Sequence, residues 1–167
     1  MGVKWKTTKN DFPKMERSIK QLNGKKVSVG VLGGGESSYI ASIHEYGCKI
    51  EVTPKMRAYL AATGLYLKAT TTHITIPERA FLRNGFDKCK DEVIDKAEKV
   101  MGDVLAGTMS ADQLFELVGL LMKSRIQDYA RELDNPPNHP YTVEHKGSSN
   151  PLIDSGDMIG AISYKVE

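Results

Sequence analysis

The stretch from Val100 to Leu121, VMGDVLAGTMSADQLFELVGLL, decides the fold because it holds the end of one long amphipathic helix and the start of another. Gly107 breaks the first helical pattern, as glycine commonly does just beyond a helix C-terminus. Ser110 and Gln113, three residues apart, form a capping box that opens the second pattern. The sequence therefore predicts two long helices joined by a short turn.

Apolar residues recur at helical spacing on both sides of that turn. The predicted stripe of the first helix consists of Phe86, Val93, Ile94, Ala97, Val100, Met101, Val104 and Leu105. The predicted stripe of the second consists of Leu114, Leu117, Val118, Leu121, Tyr129 and Leu133. The Asn-Pro-Pro run at 135–137 ends the second helix, since proline cannot continue it.

Shorter elements lie near the two ends of the chain. Asp11 can cap a first helix that ends at Asn23 and Gly24. KKVSVGVL at 25–32 alternates apolar and polar residues, as does AISYKVE at 161–167, so each predicts a half-buried strand. The fold class predicted is α+β, with a small, mostly antiparallel sheet packed against two long helices plus a short N-terminal helix.

At 167 residues the chain fits a single domain, 1–167, with two less regular segments. Ser37 or Ser38 can cap a short helix that closes at Gly47. The segment 48–75 has many β-branched residues, so we expect a helical or loop excursion followed by a strand near residues 73–76. The segment 136–150 is rich in Pro, Gly, Ser and Asn and predicts a long flexible loop.

Charge and hydropathy exclude several classes of protein. The 23 basic and 21 acidic residues give a net charge of +2, too balanced to indicate a nucleic-acid or membrane partner. No apolar run approaches the ~18 residues of a membrane span, and the first residues lack the apolar core of a secretory signal. We therefore expect a cytosolic product, with Cys48 and Cys89 as reduced thiols in preference to a disulfide or metal pair.

The turn Asp154-Ser155-Gly156 near the C-terminus has two interpretations. Hydrophobic residues followed by Asp-Ser-Gly are typical of an aspartic protease, but that chemistry needs two carboxylates sharing one proton. The chain has no second Asp-Ser/Thr-Gly, and only 11 residues follow Gly156. The structural interpretation is favoured: Asp154 or Ser155 caps a single turn through Met158, and the last strand follows.

Other candidate chemistry is weak. His44 and Glu45 begin an H-E-x-x-H zinc motif, but position 48 is Cys48 and the second histidine is missing. The glycine-rich stretch GVLGGGES at 30–37 lacks the Gly-Lys-Ser/Thr of a phosphate-binding loop. We therefore expect no cofactor, no metal and no enzymatic activity.

Three stretches, taken in order, resemble a family of tailed-bacteriophage and prophage proteins. They are HEYG at 44–47, IPERAFLR at 76–83 and PLIDSGDMIGAISYKV at 151–166. Members of that family are minor structural proteins of the head–tail junction, described as tail-completion, neck or virion-morphogenesis proteins. The resemblance covers residues 40–167, with Glu78 where the family often has Ala and Ala80 where it often has Pro.

The resemblance implies an α+β subunit of a ring, commonly hexameric, that completes or caps the tail and helps join it to the head. The implied partners are further copies of the chain, the tail tube protein and the head connector or adaptor proteins, with no membrane and no specific nucleic-acid contact. The implied location is the virion, after assembly in the bacterial host cytoplasm. Two alternatives remain: a head-closure or connector protein of the same junction, and a hydrolase that uses Asp154.

The second motif carries the clearest physical expectations. Pro77 disfavours helix at the preceding residue, so a helix can begin after it. Arg79 and Arg83, four apart on one helix face, could pair with carboxylates of a neighbouring subunit, or Arg79 could form an internal ion pair. Phe81 and Leu82 would anchor the helix start to the sheet. The candidate interface or structural residues are His44, Glu45, Tyr46, Gly47, Pro77, Arg79, Phe81, Leu82, Arg83, Asp154, Ser155 and Gly156.

Overall fold

The computed structural model describes residues 10–167; the first nine residues of the predicted domain lie outside the described part. Its helices are α1 (Phe12–Leu22), α2 (Glu36–Tyr46), α3 (Pro54–Ala62), α4 (Phe81–Ala106), α5 (Ala111–Glu132), α6 (Pro140–Lys146) and α7 (Asp157–Gly160). Its strands are β1 (Val27–Gly30), β2 (Cys48–Glu51), β3 (His73–Ile76) and β4 (Ser163–Val166). The fold is α+β and mostly helical, as the sequence predicts.

The antiparallel hairpin of α4 and α5 is the centre of the molecule. Gly107 ends α4 with φ of 66°, a left-handed conformation that glycine adopts without strain. The capping box opens α5, because the amide of Gln113 donates to Ser110 Oγ at 3.1 Å and the Ser110 amide donates to Gln113 Oε1 at 2.8 Å. The predicted turn between the two helices is thus confirmed.

The core lies between this hairpin, α2 and the C-terminal segment. Its buried residues are Ala41, Phe81, Cys89, Val93, Met122, Ile126, Ala130, Leu133, Leu152, Met158, Ile159 and Ile162. Both cysteines are free thiols, and Cys89 lies with its Sγ 3.2 Å from Met122 Sδ inside this core.

The α4 side of the core differs from the predicted stripe. Phe86 and Ile94 are exposed, whereas Phe81, Gly85, Cys89 and Val93 are buried at intervals of four residues. Gly85 lets α5 approach closely: a Cβ there would lie 3.3 Å from the Tyr129 ring and 3.4 Å from Ile126 Cα. The prediction was right at Val93 but wrong at Phe86 and Ile94, and it missed Gly85 and Cys89, because it followed the large apolar residues while the close helix contact uses small ones.

The strands form two separate antiparallel pairs, where the sequence predicted one small sheet. β4 pairs with β1, with Val27 opposite Val166 and Val29 opposite Tyr164, and this pair packs against α5. β2 pairs with β3, with Ile50 opposite Ile74, and forms its own two-stranded sheet.

The two less regular segments both contain a helix, which was one of the two possibilities expected for the excursion 48–75 but was not expected for the loop 136–150. The excursion contains α3, which starts at Pro54 after the side chain of Thr53 accepts the amide of Met56 at 3.1 Å. The predicted loop 136–150 contains α6, which ends at Gly147. Pro54 and Pro140 each stand in a first helical turn, where proline is favoured, so the prolines begin these helices instead of excluding them.

Candidate functional site

The carboxylate of Glu45, on α2, caps the first turn of α4. Glu45 is only 3% exposed, and its Oε2 accepts the amide of Leu82 at 2.8 Å while Oε1 accepts the amide of Arg83 at 3.2 Å. The first amides of a helix have no partner within it, and the positive end of the helix dipole favours a carboxylate. Ala80, at the N-cap position, has no polar side chain that could accept these amides. Glu45, which is distant in sequence, accepts them instead.

Arg83 is held by the same chain, not left free for a neighbouring subunit. Its Nε donates to Glu45 Oε1 at 2.8 Å, and its Nη2 donates to the Glu45 carbonyl at 2.8 Å and to Glu78 Oε1 at 2.7 Å. The guanidinium lies 4.9 Å from the centroid of the Tyr46 ring. Arg83 therefore forms an internal ion pair with both carboxylates, and its expected contact with a carboxylate of another subunit stays a prediction.

Arg79 is 4% exposed. It lies before the start of α4, so it does not share a helix face with Arg83 as expected. Its Nε donates to the Pro136 carbonyl at 3.0 Å and its Nη2 donates to Asn138 Oδ1 at 3.0 Å. Its Nη1 lies 2.9 Å from His44 Nδ1. Within residues 10–167 no carboxylate pairs with Arg79, so the expected internal ion pair was wrong, while the contact with a neighbouring subunit stays a prediction.

The contact with Arg79 fixes the protonation state of His44. Because a guanidinium can only donate, Nδ1 of His44 must accept, and the proton of the neutral ring must lie on Nε2. Burial, together with the positive charges of Arg79 and Lys146, lowers the pKa of His44 from 6.5 to about 4. His44 is therefore neutral near pH 7 and acts as a hydrogen-bond acceptor.

The remaining motif residues complete this junction. Gly47 has φ of 74°, and a Cβ there would lie 2.9 Å from the amide nitrogen of Glu78, so only glycine fits. Pro77 lies between β3 and Arg79, and α4 begins after it as expected. Phe81 is fully buried in the core, and Leu82 packs beside Gly30 at the end of β1.

The Asp-Ser-Gly turn is capped differently from the prediction. Gly156, with φ of 93°, occupies the N-cap position of α7, and neither Asp154 nor Ser155 does. Ser155 Oγ donates to Asp157 Oδ2 at 2.7 Å and lies 3.4 Å from the Asp157 amide. The side chains of Asp154 and Ser155 are exposed. The turn thus leads into β4 as expected, with glycine in the position assigned to Asp or Ser.

A cleft of about 390 Å³ between α2 and the C-terminal turn brings the first and third motifs together. Its floor is apolar and its rim is polar. Its lining includes Glu36, Ile40, His44, Asn138, Lys146, Leu152, Asp154, Asp157 and Met158. We name it the acidic cleft, because Glu36, Asp154 and Asp157 line it with exposed carboxylates against the single ammonium of Lys146.

The cleft does not assemble a recognisable catalytic group. Nδ1 of His44 accepts from Arg79 and the proton of the neutral ring lies on Nε2, so neither ring nitrogen is free to take a proton from a serine, as the triad histidine does. An aspartic protease needs a pair of carboxylates in a covered cleft, whereas Asp154 is exposed. Among residues 10–167, no group of three or more His, Cys, Asp or Glu side chains could hold a metal ion.

Sequence reasoning missed three polar residues around the cleft. Lys146 Nζ donates to the carbonyls of Asn150 and Ile153 at 2.6 and 2.8 Å, and burial lowers its pKa. Asn150 Nδ2 donates to the carbonyls of Arg131 and Leu133 at the end of α5 at 2.7 and 3.1 Å. Asn138 Nδ2 is buried without a partner among the described residues. The Asn150 contacts join segments 17 and 19 residues apart, and the Lys146 contacts lie in an irregular loop beyond α6, so no helical or strand spacing marks these residues.

The three motifs of the resemblance are therefore neighbours in space. His44 contacts both Arg79 of the second motif and the cleft of the third. No helix between residues 10 and 167 is both long and apolar enough to cross a membrane. Comparison of the chain with models of protein families, with curated proteins and with solved structures finds no match.

Proposed function

We propose that this protein is a non-enzymatic assembly subunit of a tailed bacteriophage or prophage. In this proposal it forms part of a ring that completes the tail and helps join it to the head. It contacts further copies of itself, the tail tube protein and the head connector or adaptor proteins. Its place is the head–tail junction of the virion, and it acts by surface complementarity and not by bond chemistry.

The observation that carries the proposal is the way in which the motif residues use their polar groups. Glu45 caps α4, Arg79 holds the chain at 136–138, and Arg83 ties Glu45 to Glu78. These contacts hold backbone segments in place, so the charged groups of the motifs serve the scaffold of the chain. A motif set that fixes a scaffold is what an assembly subunit needs, since its activity lies in presenting a surface.

Exposed aromatic side chains give the proposal further support. Tyr39 and Tyr46 lie seven residues apart on α2, on the face opposite the buried Ala41 and Glu45, and both are exposed. Tyrosine is enriched in protein interfaces because its large ring brings contact area at little entropic cost.

Deletion of the gene from an inducible prophage, followed by electron microscopy of the particles, tests the proposal. We expect filled heads separated from tails, or unattached tails of abnormal length, and full rescue by the wild-type gene. Empty, leaking heads beside normal tails would instead indicate a head-closure protein. Normal infectious particles would reject the proposal.

Complementation with Asp154→Asn separates assembly from hydrolysis. A hydrolase that uses this carboxylate would lose its activity, because the amide cannot take or give the proton. An assembly subunit should keep particle yield within about threefold of wild type, because the change neutralises one exposed carboxylate of the cleft without reversing its charge and leaves Glu36 and Asp157 in place.

A further inference from the structure

The segment 48–76, which we call the arm, is built without a core of its own. It consists of β2, α3 and β3, and every side chain in it keeps contact with solvent. An ordinary segment of this length with three regular elements would bury several apolar side chains against the rest of the molecule. The arm therefore has apolar surface that its own chain does not cover.

Hydrogen bonds nevertheless hold the arm in a defined shape. Arg57 Nη1 donates to the Lys68 carbonyl at 2.9 Å, and Arg57 Nη2 donates to the Thr71 carbonyl at 2.6 Å. The hydroxyl of Tyr141, on α6, donates to Thr63 Oγ1 at 2.6 Å and joins the arm to the body. An ordered surface can bind a partner without the entropic cost of folding a loop.

One face of α3 points outward with a composition suited to docking. Lys55, Ala58, Tyr59 and Ala62, at positions i, i+3, i+4 and i+7, are all exposed. Tyr59 is 67% exposed, and Tyr66, just beyond the helix, is 81% exposed. Small residues allow close approach, and exposed tyrosines are typical anchor residues of an interface.

The arm is also basic. Lys49, Lys55 and Lys68 are exposed and form no ion pair within residues 10–167, and Glu51 is the one acidic residue in the arm. The guanidinium of Arg57 adds a fourth positive charge, although carbonyl groups occupy its donors. A partner surface should therefore combine carboxylates with an apolar floor.

The acidic cleft has that combination. Glu36 and Asp154 are exposed and form no ion pair within the described residues, and the buried Leu152 and Met158 line the floor. The unpartnered Nδ2 of Asn138 could donate to a backbone carbonyl of an entering segment.

Helix α6 separates the arm and the cleft within one subunit. Tyr141 and His145 stack on each other, with ring centroids 3.9 Å apart, and Tyr141 faces the arm. Thr142 and Lys146, also four apart, line the cleft instead. Because the two surfaces lie on different sides of α6, the cleft can accept the arm of another copy while its own arm stays attached.

We infer that the basic arm of one copy docks in the acidic cleft of the next copy of this chain. Such a contact joins two different patches, so it is heterologous and repeats from subunit to subunit until the ring closes. The inference rests on the proposed ring subunit and identifies the surfaces that join its neighbours. The apolar face of α3 would cover the cleft floor, with Lys55 and Lys68 near Glu36 and Asp154.

A charge-swap experiment on the full-length protein tests this inference. The arm variant carries Lys55→Glu and Lys68→Glu, and the cleft variant carries Glu36→Lys and Asp154→Lys. Sedimentation velocity at low salt measures self-association at protein concentrations up to about 200 μM. At these concentrations a complex with a micromolar Kd is well populated. Circular dichroism checks that each variant is folded. A control with Lys20→Glu and Lys99→Glu makes the same charge change outside the arm.

Each variant alone should self-associate at least about tenfold more weakly than wild type, because like charges then face each other. An equimolar mixture should regain association, since each arm then meets a cleft of opposite charge on the other variant. The control should associate like wild type, and added salt should weaken every complex.

Three results would overturn the inference: variants that associate like wild type, a mixture that does not recover, or a wild-type protein that stays monomeric throughout. None of these decides the proposed function, which rests on particle morphology in the deletion strain. Conversely, normal particles from that strain would reject the function even if the arm and cleft did associate.

Discussion

In the α4–α5 hairpin, Phe81, Val104 and Ile126 are almost completely shielded from water, whereas no side chain of the arm is. The hairpin is held by apolar burial, which is the dominant favourable term in folding. The arm is held by the backbone hydrogen bonds between β2 and β3 and by the side-chain contacts of Arg57 and Thr63. The hairpin therefore supplies most of the stability of the fold, whereas the arm carries apolar surface that the rest of the chain leaves exposed.

Truncation of one large side chain in each region should give the largest difference in the free energy of unfolding. Phe81→Ala removes a fully buried ring from the core, and we expect it to lower the free energy of unfolding by about 3–5 kcal/mol. Tyr59→Ala removes an exposed ring from the arm and should change it by less than about 0.5 kcal/mol. Urea unfolding followed by circular dichroism measures both. Equal losses would show that the arm has a core after all.

The next test compares two carboxylates that share Arg83. Glu45→Gln leaves buried helix amides and a guanidinium without their anion, and we expect a loss of about 2–4 kcal/mol in the free energy of unfolding. Glu78→Gln removes an exposed partner of the same guanidinium and should cost no more than about 1 kcal/mol. Thermal and urea unfolding report both losses. A large loss for Glu78→Gln alone would contradict the capping role of Glu45.

Two glycines within the hairpin provide the third test. A Cβ at Gly119 would overlap the Tyr164 ring of β4, so Gly119→Ala should cost about 1–3 kcal/mol. A Cβ at Gly102 would meet nothing within 4 Å, so Gly102→Ala should stabilise the exposed helix by about 0.5–1 kcal/mol. Differential scanning calorimetry should show shifts of opposite sign. Two stabilising changes would mean that β4 does not press on α5.

Local signals in the sequence predicted the local parts of the fold. Gly107 marked the end of the first long helix, and the Ser110–Gln113 box marked the start of the second. Each of these features is decided within one or two helical turns, where neighbours in sequence are neighbours in space.

Contacts between distant segments could not be predicted in the same way. Glu45 caps a helix 37 residues away, and Arg79 holds a carbonyl 57 residues away, so no periodicity connects these partners. The resemblance singled out both residues, but nothing in the sequence indicated that Arg79 would hold the Pro136 carbonyl. Small residues such as Gly85 were missed for another reason. A hydrophobic pattern records where apolar side chains recur, and it does not show where two helix backbones come close together.

His44 lies where the two regions meet, and its titration should give the smallest effect. Its carbonyl accepts the amide of Arg79 at 2.8 Å, shortly after β3, while its ring accepts from the Arg79 guanidinium. The folded-state pKa of about 4 lies below the ordinary 6.5, so between these values the unfolded chain binds more protons than the folded one. The contribution of His44 is thus complete above pH 6.5 and declines as the pH falls toward 4.

Because the ring is partly exposed, solvent screening reduces the loss to about 1–2 kcal/mol over that window. His44→Gln keeps an acceptor for Arg79 but cannot titrate, so its free energy of unfolding should fall less than that of wild type between pH 6.5 and 5. Urea unfolding at half-unit steps of pH gives the slope of the free energy of unfolding against pH for each protein. Both proteins have the same carboxylates, so the difference between the two slopes reports on His44. Identical slopes would show that His44 binds its proton as readily in the folded protein as in the unfolded chain, and the contact of its ring with Arg79 would then contribute no pH-dependent stability.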